Sequence, residues 1–145
     1  MISGLIHAHS GLRWLLLIAL VYAIFNAFSK KKNGTFEAKD KMVSLLAFIL
    51  SHIQLLLGLI LFVVEKKWEG FAHMKEALPR FFAVEHTLGM IIAIVLITIG
   101  YQKSKSQTTD SGKFSKIATF YLIGLILIIV SIPWPFREAL HGHWF

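Results

Sequence analysis

Four long apolar runs separated by short charged connections dominate the chain. They extend from about Leu5 to Phe28, Met42 to Val64, Phe81 to Tyr101 and Ile117 to Ile132. At a rise of about 1.5 Å per residue, each run reaches roughly across the hydrocarbon core of a bilayer. Backbone groups in that core find no water, so such runs are helices whose N–H and C=O groups pair internally. The pattern predicts an all-α membrane protein with a single domain over residues 1–145. Short connections between antiparallel spans make it an up-and-down four-helix transmembrane bundle.

Composition supports this reading and narrows it. Hydrophobic residues make up 56% of the chain and charged residues 16%, against roughly 25% charged in soluble domains. A soluble enzyme, a disordered linker and a secreted module are excluded. The absence of cysteine removes disulfides, thiolate zinc sites, iron–sulfur clusters and c-type haem attachment.

A net charge of +7 would suit nucleic acid, but the positions of the lysines give them another role. The connection 29–41 carries Lys30, Lys31, Lys32, Lys39 and Lys41, and the connection 102–116 carries Lys103, Lys105, Lys113 and Lys116. The connection 65–80 is mixed, with Lys66, Lys67, Lys75 and Arg80 against Glu65, Glu69 and Glu76. Lysine and arginine accumulate on the cytoplasmic side, so both lysine-rich connections are expected inside, with both termini outside. The expected partner is the lipid bilayer, with no nucleic acid. No basic stretch precedes the first run and no small-residue cleavage site closes it, so it reads as an uncleaved helix. The Asn33-Gly34-Thr35 sequon then faces the cytosol as a plain turn, and Pro133-Trp134-Pro135 ends the fourth span at the outer surface.

Small residues mark packing seams. Ser44, Ala47, Ser51, Gln54 and Gly58 recur at helical spacing along the second span, and Gly89, Ala93 and Gly100 along the third. Such seams let helices approach closely in lipid. On the third span the seam shares a face with His86, where it would leave room for a flat ligand.

Ionisable side chains within spans are costly and tend to mark function. Here they are His7, His9 and Arg13 in the first span, His52 in the second, and Glu85 and His86 in the third. His9 lies roughly 6 Å and His86 roughly 8 Å below the outer ends of their spans, and His52 roughly 18 Å down, near the midplane. Spans one and three lie on a diagonal of an up-and-down bundle, so His9 and His86 would face each other at one level. Imidazole suits iron, and bundle cores hold such cofactors between facing helices. A haem iron ligated from both sides is the site this arrangement would make, with His52 as the alternative ligand. Arg13, Arg80 and Arg137 would pair with the propionates. Glu85 would pair with an arginine or orient a histidine. His7 reads as an interfacial contact, and His73, His141 and His143 lie outside the spans.

The stretches His7-Ala8-His9-Ser10-Gly11-Leu12-Arg13-Trp14, Ser51-His52-Ile53-Gln54-Leu55, Val84-Glu85-His86 and Ile132-Pro133-Trp134-Pro135-Phe136-Arg137 resemble a small bacterial four-span family commonly labelled "cytochrome b". The resemblance covers nearly the whole chain. It implies haem b, histidine ligation and electron transfer in the bacterial cytoplasmic membrane.

The leading expectation is therefore a small b-type cytochrome, an electron-transfer protein rather than a substrate-converting enzyme, passing one electron between quinone chemistry and a respiratory or redox partner protein. Two other classes stay open. One is a non-catalytic structural or assembly subunit of a larger membrane complex. The other is a metal- or proton-handling bundle in which His9, His52 and His86 form a descending polar path.

Overall fold

The structure, a computed structural model, describes residues 2–140. Among these, four helices are long and apolar enough to cross a membrane: α1 (Ile2–Lys30), α2 (Ala38–Val64), α3 (Ala77–Lys105) and α4 (Asp110–Ser131). α1, α2 and α3 contain their expected apolar runs, and α4 contains all of its run but the final Ile132. α1 and α3 extend beyond their runs at both ends and α2 at its start, and α4 begins earlier, after the cap Thr109, whose hydroxyl accepts from the Gly112 N–H. The chain is an all-α, multipass membrane protein.

The helices form a ring in which α1 packs against α2 and α4, and α3 against α4 and α2. α1 and α3 thus occupy the expected diagonal. Leu20, Ala47, Ala93, Ile97, Phe114 and Tyr121 fill the centre of the bundle. Ile18, Phe25, Met42, Val63, Val95 and Val130 remain exposed on its outside, which is where a lipid-facing surface places apolar side chains because the hydrocarbon solvates them.

The two ends of the bundle are built differently. At the lysine-rich end, the buried carboxylate of Asp40 accepts from Asn26 Nδ2 and Lys30 Nζ, both at 2.8 Å, and from the Glu37 N–H at 3.0 Å. This ties the last turn of α1 to the first turn of α2. The phenol of Tyr121 donates to the Ser44 carbonyl at 2.8 Å, joining α4 to α2. At the other end, a 3₁₀ turn over Lys67–Ala72 packs on the start of α3 and closes the bundle.

Candidate functional site

The first turns of α3 are irregular. Residues Phe81–His86 widen into a π-helical segment, a distortion that inserts extra residues per turn and recurs at functional sites. The Thr87 hydroxyl donates to the Phe82 carbonyl at 2.8 Å within it. His86 is the last residue of this segment.

α4 supplies the group that holds His86. Pro133 and Pro135 have no N–H, so the carbonyls of Ile129 and Ser131, four residues earlier, lose the partners a continuing helix would provide. Side chains replace them. The indole Nε1 of Trp134 donates to the Ile129 carbonyl at 2.8 Å, and Arg137 Nη1 donates to the Val130 carbonyl at 3.1 Å. His86 Nδ1 lies 2.8 Å from the Ser131 carbonyl. A carbonyl only accepts, so the hydrogen of the neutral ring sits on Nδ1 and Nε2 carries the lone pair. That tautomer suits a metal ligand, whose other ring nitrogen is commonly tied to a carbonyl or carboxylate.

His9 presents the opposite situation. Its carbonyl accepts from Gln54 Nε2 of α2 at 2.9 Å, while its Nδ1 is buried with no hydrogen-bond partner, as is Gln54 Oε1. Gly58 of α2 makes room for the ring: a Cβ there would stand 3.2 Å from His9 Cε1. Unpaired buried polar atoms are uncommon and call for an explanation.

His9 and His86 both line one cavity of about 410 Å³ in the half of the bundle away from the lysine-rich connections. Its walls are mainly apolar, including Leu16, Phe62, Met90 and Ile128, and Arg13 and Lys67 supply the positive charge. Lys67 Nζ lies 4.6 Å from the Phe82 ring centroid and 3.6 Å from Glu65. Apolar walls with a few convergent polar groups are the usual composition of a small-molecule site.

The other expected site residues fall elsewhere. His52 is not in the cavity wall; its Nδ1 lies 2.7 Å from the Phe48 carbonyl and its Nε2 3.2 Å from the Thr98 hydroxyl, linking α2 to α3. Arg80 donates to Glu85 at 2.8 Å on the surface, which answers which partner Glu85 takes. Arg137 caps α4 and stacks over Phe81 at 4.9 Å. Neither arginine lines the cavity. The small-residue face of α3 also serves a different purpose from the one expected. Gly89 is occupied by Ser131 and Gly100 by Phe120, so this seam seats α4 and leaves no room for a ligand. His7 is exposed, His73 pairs with Glu76 at 3.0 Å, and His141 and His143 lie outside the described residues.

Lys67 was missed because its loop reads as a mixed-charge connection. Ser131 was missed because a backbone carbonyl leaves no mark in residue type, although two prolines following the span signal that carbonyls there need other donors.

Comparison of the chain with protein-family models, with curated proteins and with solved structures finds no match. Fold and site together define a class: a four-helix multipass membrane protein with two histidines, on diagonally opposed helices, lining one cavity.

Proposed function

We propose that the protein is a b-type cytochrome of the bacterial cytoplasmic membrane, in which His9 of α1 and His86 of α3 are the residues that would hold the iron of haem b. One observation carries this reading. Two imidazoles from diagonal helices line a single cavity, one with its Nδ1 hydrogen held by the Ser131 carbonyl and the other with a buried Nδ1 that no protein group satisfies.

The donor set fits this group better than a bare ion. Among the described residues, no three His, Asp or Glu side chains converge on a common point. Two imidazoles suit an iron that brings its own equatorial donors. Arg13 and Lys67, the cations in the cavity wall, would pair with the propionates by charge-assisted hydrogen bonds, taking the part expected of Arg80 and Arg137. The resemblance of the His7–Trp14, Val84–His86 and Ile132–Arg137 stretches to the four-span family supports the same reading.

When bound, haem supplies a one-electron iron couple whose potential depends on axial ligands and burial. The chain's own residues hold the ligand rings, and the apolar wall excludes water. The lysine-rich connections support an orientation with both termini outside, by the positive-inside rule. Quinone and a redox partner protein are the donor and acceptor classes that this reading implies.

A reduced-minus-oxidised absorbance spectrum of the purified protein tests it, with His9→Ala, His52→Ala and His86→Ala alongside. The expected result is a b-type band lost in the His9 and His86 variants and kept in His52→Ala. A folded preparation that takes up no haem when supplied with it overturns the proposal and favours a non-catalytic subunit.

A further inference from the structure

The lysine-rich end of the bundle holds a second cleft, of about 320 Å³, lined by Phe36, Lys41, Tyr101, Ser104, Lys105 and Lys113 among others. It lies at the opposite end from the histidine cavity and owes nothing to the haem proposal. Glu37 is the acid in its lining, and it and the neighbouring Asp40 and Asp110 are engaged in the fold. The Glu37 side chain accepts from the Asp40 N–H to close the first turn of α2, and the Asp40 carboxylate is occupied by Asn26, Lys30 and the Glu37 N–H. Asp110 is 3.3 Å from Lys113.

The bases are less committed. Among the described residues, Lys41 and Lys105 form no ion pair with a carboxylate. Lys105 Nζ lies 5.8 Å from the Tyr101 ring centroid, and Lys113 Nζ lies 5.4 Å from that of Phe36. Aromatic walls therefore hold two of the ammonium groups beside the cleft. Tyr101 and Ser104 add hydroxyls to the same wall.

We infer that this cleft binds a phosphate group, presented by the headgroup of an anionic phospholipid. Basic pockets between membrane helices recognise such headgroups, because ammonium and hydroxyl donors meet the phosphate oxygens near the membrane surface. The four spans require a bilayer, and the cleft lies where the apolar runs of α2 and α3 give way to charged residues, at the depth of the headgroups.

The test uses the full-length protein in detergent with added phosphatidylglycerol, phosphatidylcholine or inorganic phosphate. Bound lipid is counted by native mass spectrometry, and thermal unfolding is followed in parallel. The cleft variant is Lys41→Gln with Lys105→Gln. The control is Lys39→Gln with Lys103→Gln, which removes the same charge from positions outside the cleft lining. A hydrogen bond to a charged group is worth about a tenfold factor in affinity or more, so the cleft variant should retain phosphatidylglycerol on the order of a hundredfold less well. The control should bind as the unaltered protein does, and Lys41→Arg with Lys105→Arg should restore binding. Protection by inorganic phosphate equal to that by phosphatidylglycerol supports the phosphate site and assigns it to the free ion. Equal losses in cleft and control variants, or no preference for phosphatidylglycerol over phosphatidylcholine, overturn the inference.

Discussion

His86 Nδ1 lies 2.8 Å from the carbonyl of Ser131, the last residue of α4, whose acceptor is left open because the chain turns out of the helix at Ile132. The end of α4 thereby sets the tautomer of a histidine on α3. Pro135→Ala supplies an N–H able to compete for that carbonyl. In the proposed cytochrome, haem affinity should fall about 10–100-fold, the usual effect of losing a group that orients a metal ligand. Nitrogen-15 NMR of the haem-free protein should show His86 moving from one tautomer to a mixture. An unchanged His86 spectrum would show that Ser131 does not govern the ring, whether or not haem binds.

Gly89 and Ser131 fit together where α3 meets α4. A Cβ at Gly89 would collide with the Ser131 side chain, so Gly89→Ala should destabilise the bundle by about 1–3 kcal/mol through overpacking. Adding Ser131→Ala removes the hydroxyl that causes the closest collision and should recover part of the loss. A double-mutant cycle of thermal unfolding in detergent checks the coupling.

Asp40 is 2% exposed and accepts from three donors. Asp40→Ala leaves Asn26 and the Glu37 N–H without their acceptor and Lys30 without its counter-charge. Leaving buried hydrogen-bond donors without their acceptor costs about 1–3 kcal/mol. Because Lys30 is partly exposed and can turn to water, the lower end of that range is expected in unfolding measurements, with the histidine cavity unaffected.

His52 and Thr98 meet at 3.2 Å between α2 and α3. Hydrogen bonds of this kind between membrane helices average about 0.6 kcal/mol. Thr98→Val should therefore cost less than about 1 kcal/mol and leave any haem spectrum in place. A lost or shifted band in Thr98→Val would bring His52 back as a ligand.

Much of the architecture was legible in the residues. The four runs, the diagonal placement of His9 and His86, and the end of α4 at Pro133-Trp134-Pro135 follow from hydropathy, loop length and missing backbone donors, all of which are local properties of the chain. The seams of small residues were legible as seams, but their partners were not. Gly89, Ala93 and Gly100 read equally well as space for a ligand and as a seat for a helix, and packing against α4 chose the second.

What only the tertiary structure decided is which polar groups find one another. Arg13, Arg80 and Arg137 look alike as cations near one end of the bundle, yet Arg13 lines the cavity, Arg80 meets Glu85, and Arg137 caps α4. Lys67 reached the cavity wall because the turn after α2 folds back over the bundle. His52 and His86 are the same residue type in spans of similar hydropathy, and their neighbours alone distinguish them: one is engaged at both ring nitrogens, the other is held at Nδ1 by a carbonyl from another helix. Hydrophobic pattern determines that a segment enters the membrane, because burial of apolar surface is additive along the chain. Hydrogen-bond pairing is directional and falls off within a few tenths of an ångström, so it is settled only when the helices take their places.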